Sequence, residues 1–197
     1  MKPESIVFAV AGMCFGVILG WVIGAQQGAS QGAPAATVAA SPAPAAPALD
    51  EARVQALMTI VNSDPNNAEA AVQLGNTYFD AEQYTDAITW YTRSLEIDPK
   101  NPDASTDLGV SYYYTNQTDL ALAQFEQSLA IDPVHTKTLL NKGIVLAFGR
   151  QDLDGAAAAW KQVVALAPES PEGQAASRAL EGMTAAGHPG GAATPGS

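Results

Sequence analysis

The apolar and charged positions divide the chain into two unlike parts. No charged residue occurs between Ser5 and Leu49, whereas the stretch from Asp50 to Glu181 contains 19 of the 20 acidic residues. Within the uncharged part, residues 6–25 form a continuous, mostly apolar run of 20 residues. A helix of that length spans about 30 Å, which matches the hydrocarbon core of a bilayer. The run therefore predicts one N-terminal transmembrane helix.

A cleaved secretory signal is the alternative interpretation of residues 6–25, because signals also combine a basic N-terminus with an apolar run. The run is longer than the usual apolar core of a signal and no clear cleavage site follows it, which favours an uncleaved anchor. Lys2 precedes the run, and the next basic residue is Arg53. The positive-inside tendency then predicts a single-pass protein of the inner (cytoplasmic) membrane, with the rest of the chain in the periplasm.

Glycine recurs at every fourth residue of the apolar run, at Gly12, Gly16, Gly20 and Gly24. This spacing leaves one face of a helix bare, so that a second helix can approach closely. The spacing predicts packing of the transmembrane helix against a partner helix, including homo-oligomerisation. The alternative is that the glycines are merely tolerated, as they often are in membrane helices.

The segments next to the charged part are rich in proline, alanine and glycine. Residues 26–48 carry four prolines and no charge, which predicts an extended linker. Residues 187–197 predict a disordered tail. The expected organisation is therefore an anchor (1–25), a linker (26–48), a repeat domain (49–186) and a tail (187–197).

The charged part repeats itself with a period of 34 residues. Leu74-Gly75 recurs as Leu108-Gly109, and Ile97-Asp98-Pro99 recurs as Ile131-Asp132-Pro133. A third copy ends one residue late, which predicts an extra residue in the turn around residues 150–154. Small residues at the repeated positions would allow backbone-to-backbone packing of two helices, large aromatic residues would fill the space between pairs, and prolines would end the second helices. These positions are Gly75, Gly109 and Gly143; Ala87, Ala121 and Ala156; Tyr78, Tyr91, Tyr112, Phe125 and Trp160; and Pro65, Pro99, Pro133 and Pro168.

These repeated residues resemble the tetratricopeptide repeat (TPR) family, with Leu-Gly-x-x-Tyr on a first helix, Ala-x-x-x-aromatic on a second, and a final proline. The resemblance covers residues 68–170 and implies an all-α fold, a helical-hairpin solenoid of three repeats. A helix over residues 51–62 would be an N-terminal half-repeat. Ser170-Pro171-Glu172 is a favourable helix start, so a helix over about 171–185 would be the C-terminal cap.

The resemblance also implies a concave groove lined by the first helices. The family's groove positions correspond here to Glu69, Val72, Asn76, Phe79, Asp80, Asp103, Thr106, Val110, Tyr113, Tyr114, Lys137, Leu140, Ile144, Ala147 and Phe148. The predicted partner-binding residues among them are Asn76, Phe79, Asp80, Thr106, Val110, Tyr113, Tyr114, Leu140, Ile144 and Phe148. Three consecutive tyrosines from Tyr112 cover most of a helix circumference, so at least one points away from the core. The alternative is that Tyr113 and Tyr114 pack against the neighbouring copy.

The charge distribution narrows the class of partner. A net charge of −11 argues against nucleic acid, whose phosphates such a surface would repel. The stretch from Asp64 to Asp132 holds 12 acidic residues against two basic ones, and the following stretch is mildly basic. This gradient favours a partner segment with basic and apolar residues, bound in a fixed direction. The alternative is an ordinary solvated acidic surface.

Some members of the resembled family grip a C-terminal carboxylate with Lys and Asn side chains at set groove positions. Asn76 and Lys137 match that pattern, whereas Val72 and Asp107 occupy two of the other positions. Binding of a carboxylate tail is therefore not expected here.

The sequence carries no motif for catalysis, a cofactor or a metal. The single cysteine excludes an intramolecular disulfide, and no phosphate-binding or dinucleotide-binding signature is present. His135 and His188 have no second ligand at a metal-binding spacing. We therefore expect a protein that is not an enzyme and that uses no cofactor or metal.

The predicted function is that of a membrane-anchored adaptor or assembly factor, which binds a peptide segment of a partner protein in its groove. Similarity to anchored bacterial repeat proteins of cytochrome c maturation implies a narrower role, the presentation of apocytochrome. The alternative is a structural oligomeric membrane subunit assembled through the glycine-rich helix.

Overall fold

The chain is all-α in the part that the computed structural model describes, residues 46–188 and 190. Eight α-helices follow one another there without a strand. They are α1 (Glu51–Ser63), α2 (Ala68–Asp80), α3 (Tyr84–Ile97), α4 (Pro102–Tyr114), α5 (Thr118–Ile131), α6 (Thr136–Val145), α7 (Leu153–Leu166) and α8 (Pro171–Ala185). A π-helical turn, Leu146–Arg150, follows α6.

The predicted transmembrane helix, with Gly12, Gly16, Gly20 and Gly24, lies outside the described residues, as do residues 26–45 of the linker and residues 191–197 of the tail. None of the eight described helices has both the length and the apolar character needed to cross a membrane.

Consecutive helices pack as hairpins. α2 with α3, α4 with α5, and α6 with α7 form three repeats, while α1 packs on α2 and α8 packs on α7. This confirms the predicted solenoid of three repeats with a half-repeat before it and a capping helix after it. Side chains at the turns between repeats cap the N-termini of the first helices: Asn67 and Asn101 accept the backbone N–H of Ala70 and Ala104 at 2.9 and 3.0 Å.

An aromatic ring of the second helix covers the glycine of the first helix in every repeat. Tyr91 lies over Gly75, Phe125 over Gly109, and Trp160 over Gly143. A Cβ at Gly109 would stand 2.5 Å from Cε1 of Phe125 and 3.2 Å from the backbone oxygen of Ala121. The glycines therefore make room for a ring within the same repeat, rather than for the backbone-to-backbone contact that the sequence suggested.

The turn inside each repeat contains one residue with left-handed backbone geometry. These residues are Glu82 (φ 59°), Asn116 (φ 61°) and Gln151 (φ 57°). The extra residue of the third repeat is absorbed earlier than predicted, because the wide π-helical turn Leu146–Arg150 precedes Gln151. A π-helical turn accommodates one inserted residue without breaking the helix, so Gln151 occupies the same kind of turn position as Glu82 and Asn116.

Candidate functional site

The predicted partner-binding residues lie on α2, α4, α6 and the turn after α6, which we call the first-helix face. α4 packs directly against α6. Most of the predicted side chains are partly exposed, and Asp80 and Phe148 are exposed. Thr106 is fully buried. Its side chain is not available to a partner, so Thr106 is not part of the candidate surface.

Four rings meet at the C-terminal ends of α2 and α4, and we call them the aromatic cluster: Phe79, Tyr84, Tyr113 and Tyr114. The Tyr84 and Tyr114 rings are stacked with centroids 4.5 Å apart and planes 9° apart. Phe79 meets both edge to face, at 5.2 Å from Tyr84 and 5.9 Å from Tyr114. Tyr84 was not among the predicted residues, since it belongs to a second helix. Its position directly after the turn that follows α2 is the signal that places it here.

The consecutive tyrosines of α4 serve different contacts. Tyr112 and Tyr113 pack against the buried group that contains Phe125 and Val145 of the next elements. Cε2 of Tyr113 would lie 3.2 Å from a Cβ added at Gly149, in the turn of the third repeat. The interpretation that these tyrosines pack against a neighbouring copy thus describes Tyr113, which lies against the third repeat; its ring centroid is 5.9 Å from that of Tyr114. It describes Tyr114 as well, because the Tyr114 ring packs on Phe79 of α2 and Tyr84 of α3, in the first repeat.

Asn76 accepts a hydrogen bond from the second helix of its own repeat. The Tyr91 hydroxyl donates a hydrogen bond of 2.7 Å to Oδ1 of Asn76. Burial raises the pKa of Tyr91 far above its ordinary value, and the carboxylates of Asp107 and Asp80 raise it further. The side-chain oxygen of Asn76 is therefore bonded to a hydroxyl that stays protonated at physiological pH, and two carboxylates lie near that hydroxyl.

Lys137 of α6 forms ion pairs with α4. Its Nζ lies 2.8 Å from Oδ1 of Asp107 and 3.6 Å from Oδ1 of Asp103. Burial acts to lower the pKa of Lys137, but the attraction of these two carboxylates outweighs it and the net pKa is raised. Burial raises the pKa of the Asp107 carboxyl, and the charge of Lys137 lowers it; the effect of burial is the larger, so the net pKa is raised. The lysine that matches the carboxylate-gripping pattern is thus already paired within the chain.

A buried group of three hydroxyls, which we call the hydroxyl cluster, joins α4, α5 and α6. It consists of Thr106, Ser128 and Thr138. Thr138 Oγ1 lies 2.6 Å from Thr106 Oγ1 and 2.8 Å from Ser128 Oγ. Thr106 and Ser128 both donate to the backbone oxygen of Pro102, at 2.7 and 2.9 Å. Thr106 therefore connects two repeats instead of facing a partner.

The remaining predicted residues lie at the third repeat. Leu140 and Ile144 are partly buried against the core group around Trp160. The indole N–H of Trp160 donates to the backbone oxygen of Leu140 at 3.1 Å. Ala147 is buried, whereas Phe148 keeps 48% of its surface exposed. Phe148 is the most accessible apolar side chain among the predicted positions.

Comparisons with known proteins match this helical part of the chain. Residues 75–116 match the family model described as TPR repeat, and residues 106–171 match the model described as tetratricopeptide repeat. A comparison with curated proteins gives no match.

Solved structures with the same arrangement include a crystal structure of MamA, with a TM-score of 0.59 and 22% identity over 70% of this chain and 80% of that chain. At that identity the likeness shows the fold alone. The first TPR of Spaghetti (RPAP3) bound to the HSP90 peptide SRMEEVD has a TM-score of 0.56 and 27% identity, over 62% of this chain and 94% of that one. The NMR structure of the first TPR domain of the human RPAP3 protein has a TM-score of 0.55 and 26% identity, over 62% of this chain and 95% of that chain.

Proposed function

Because residues 75–171 carry tetratricopeptide repeats, we propose that this chain is a membrane-tethered adaptor whose first-helix face binds a peptide segment of a partner protein. Repeat arrays of this kind generally act as protein-interaction adaptors, and they present extended surfaces for that purpose. The first TPR of Spaghetti, which is similar to this chain, is bound to an HSP90 peptide.

Partly exposed aromatic side chains are concentrated at one end of the first-helix face, and this observation supports the proposal most strongly. The aromatic cluster contacts across α2, α3 and α4, and its rings are only partly buried. Phe148 is exposed on the same face. Aromatic side chains of this kind are the usual anchors of protein interfaces, because they bury a large area at a small entropic cost.

Cross-linking from matched positions tests the proposal in cells. Phe148 on the first-helix face and Leu120 on α5 are both 48% exposed, so a photo-reactive amino acid placed at either position meets solvent equally. We expect position 148 to capture one partner through a single short segment, and a synthetic peptide of that segment to compete. Position 120 is the control. Equal capture from both positions, or capture that the peptide does not reduce, contradicts the proposal.

The tether is part of the same proposal and is supported by the sequence of residues 6–25. We propose that this segment anchors the chain in the inner membrane and that the repeats face the periplasm. Resistance to carbonate extraction, together with digestion of the repeats by protease added to spheroplasts, is the expected result. Release by carbonate contradicts the anchor, and protection from protease contradicts the orientation.

A narrower role, in cytochrome c maturation, and a structural role, as an oligomeric membrane subunit, can each be tested separately. The role in cytochrome c maturation predicts less covalently bound haem in cells that lack the chain. The structural alternative is favoured by the four-residue glycine spacing, and it predicts that Gly16→Leu and Gly20→Leu reduce the cross-linked oligomer while leaving peptide capture at position 148 unchanged.

A further inference from the structure

His135 lies where the third repeat meets the second, directly before α6. Its side chain is only 16% exposed. Nδ1 of the ring lies 2.6 Å from Oγ1 of Thr138, a member of the hydroxyl cluster. Nε2, on the other side of the ring, lies 3.5 Å from Oδ1 of Asp103 on α4. The imidazole therefore joins a buried polar group to a carboxylate at the surface.

The residue at this position caps the following helix in the two earlier repeats. Asn67 and Asn101 stand at the equivalent positions before α2 and α4, and the side chain of each accepts a backbone N–H of its helix. The side chain of His135 makes no such bond with α6. Its Nδ1 meets the Thr138 hydroxyl instead. The histidine has therefore exchanged the role of a cap for a contact with the hydroxyl cluster.

The hydroxyl cluster has fewer protons than contacts. Its five contacts of 2.9 Å or less run from Thr106 and Ser128 to the backbone oxygen of Pro102, from Thr138 to Thr106 and Ser128, and from His135 to Thr138. A hydrogen bond of this length needs one proton between its two heavy atoms, and each of the hydroxyls supplies only one. A proton on Nδ1 adds another to the cluster. The cluster therefore favours the form of His135 that donates from Nδ1 to Thr138.

The other ring nitrogen faces an acceptor as well. In a neutral histidine one nitrogen carries a proton and the other presents a lone pair. With the single proton on Nδ1, the lone pair of Nε2 faces the Asp103 carboxylate at 3.5 Å, and that arrangement is repulsive. A second proton on Nε2 makes the contact attractive, because an imidazolium donates from both nitrogens.

The charged groups around the ring are mostly negative. Asp103 faces Nε2 directly, Asp107 lies one turn further along α4, and Asp132 lies three residues before His135, directly after α5. Lys137 on α6 acts against an added positive charge, but it already pairs with both Asp103 and Asp107. The N-terminal end of α6 acts against it as well. Three carboxylates thus stand against one ammonium and the partial charge of one helix end, which favours a cationic ring.

From this geometry we propose that His135 is a proton-binding site that stabilises the contact between the third repeat and the second. The hydroxyl cluster holds one proton on Nδ1. A second proton, taken up at Nε2 as the pH falls, completes the hydrogen bond to Asp103. Stabilisation by the Nε2–Asp103 contact is therefore present at acidic pH and is lost as the pH rises and the imidazole gives up that proton. The inference does not depend on the binding of a peptide.

The proton positions on the ring can be observed by NMR. The chain contains two histidines, so His188→Gln leaves only the signals of His135 in a full chain with nitrogen-15-labelled histidine, kept in a mild non-ionic detergent. We expect the nitrogen chemical shifts to show a proton on Nδ1 at about pH 8 and on both nitrogens at about pH 5. Free neutral histidine carries its proton mostly on Nε2. The same neutral form in the folded chain would overturn the proposal.

Urea unfolding of the full chain, followed by circular dichroism at several pH values, measures the effect on stability. From about pH 8 to about pH 5 the ratio of folded to unfolded chain should rise about threefold more in the unaltered chain than in Asp103→Asn. The amide of Asn at position 103 can donate to the neutral ring, so that contact does not need the second proton. His135→Asn introduces the residue of the two earlier repeats and should show the same reduced pH dependence.

Asp119→Asn is the matched control. Asp119 also lies in the first turn of a helix, is exposed and pairs with a cation, the guanidinium of Arg150. This variant should keep the full pH dependence of the unaltered chain. If Asp103→Asn keeps it too, or if Asp119→Asn loses it equally, the proposal is wrong, because the contact with Nε2 then has no specific effect. Should Asp103→Asn fail to fold, the comparison of His135→Asn with Asp119→Asn decides in the same way.

Discussion

Ser94 and Ser128 stand 34 residues apart at equivalent positions of α3 and α5, and both are fully buried, but their hydroxyls differ. Ser128 Oγ bonds the backbone oxygen of Pro102 and meets Thr138 and Thr106 at 2.8 and 3.1 Å. Ser94 Oγ has no hydrogen-bond partner among the residues that the structure describes. The repeat explains the difference, because Val72 and Ala104 stand 34 residues before Thr106 and Thr138.

The same contrast appears in the ion pairs of the two interfaces. Lys137 pairs with Asp107 between the second and third repeats, whereas the equivalent positions one repeat earlier hold Asp103 and Gln73. The repeat motif thus specifies the contacts of glycines with aromatic rings, which recur in all three repeats. The polar positions vary, and they distinguish one interface from the next. We therefore expect the interface between the first two repeats to open before the other.

Disrupting the shared contact should have the largest effect. Gly109→Ala forces its Cβ against both the Phe125 ring and the backbone oxygen of Ala121, and overpacking of this kind costs about 2–3 kcal/mol of unfolding free energy. Gly75→Ala should cost less, because the nearest atoms are those of the Tyr91 ring alone. Urea unfolding of the full chain, followed by circular dichroism, measures both. Equal losses at the two positions would contradict the dependence on the backbone oxygen.

The paired serines should respond with opposite sign. Ser128→Ala removes a hydrogen-bonded member of the hydroxyl cluster and should lower the free energy of unfolding by about 1–2 kcal/mol. Ser94→Ala removes a buried hydroxyl without a partner and should raise it by about 1 kcal/mol. Both changes gain the same helix propensity, so each variant controls for the other in denaturant melts. Two losses of similar size would show that Ser94 has a partner after all.

Removing the ion pair should have a smaller, pH-dependent effect. Lys137→Met should cost about 1 kcal/mol near neutral pH, a modest value because the lysine is partly exposed to screening by solvent. The pKa of Lys137 is raised in the folded chain from 10.5. Its contribution is therefore fully present below that value and is lost as the pH rises through the folded pKa. The stability difference from the unaltered chain should shrink above pH 10.5. A difference that grows there instead contradicts the pairing.

A change in a turn should have the smallest effect and leave both interfaces intact. Glu82 has a left-handed backbone (φ 59°), as does Asn116 at the equivalent position (φ 61°). Asparagine tolerates this region better than glutamate, so Glu82→Asn should stabilise the first repeat by about 0.5 kcal/mol. Asn116→Ala is the reverse control and should destabilise the second repeat. Thermal melts compare the two; a destabilised Glu82→Asn would contradict the backbone argument.

Much of the fold follows from local signals in the sequence. The repeated glycines and prolines fix the number and order of the helices, and the start signal at Ser170 predicts α8 with its observed bounds. The inserted residue of the third repeat was predicted, but in the turn around residues 150–154, which is later than the structure has it. The π-helical turn Leu146–Arg150 accommodates the inserted residue, and no local sequence motif predicts a π-helical turn there.

The candidate site was less predictable because it depends on contacts between repeats. The position of Thr106 predicted a contact with a partner, but its hydroxyl is buried and lies within hydrogen-bond distance of Ser128 and Thr138. Tyr84 belongs to the aromatic cluster but lies on a second helix. The family's groove positions are taken from first helices only, so they do not include it. Both outcomes depend on residues distant along the chain, so a single repeat read alone does not show them.

The contact between Trp160 and Gly143 has a spectroscopic consequence. The Trp160 indole is almost fully enclosed and its N–H is bonded to the backbone of α6, whereas Trp90 on α3 is only partly covered. Shielding from water shifts indole emission to shorter wavelength, so the fluorescence of Trp160 reports on the docking of α7 against α6. In a chain with both Trp21→Phe and Trp90→Phe, Trp160 is the single tryptophan left, and collisional quenching by iodide would follow the opening of the third repeat in isolation.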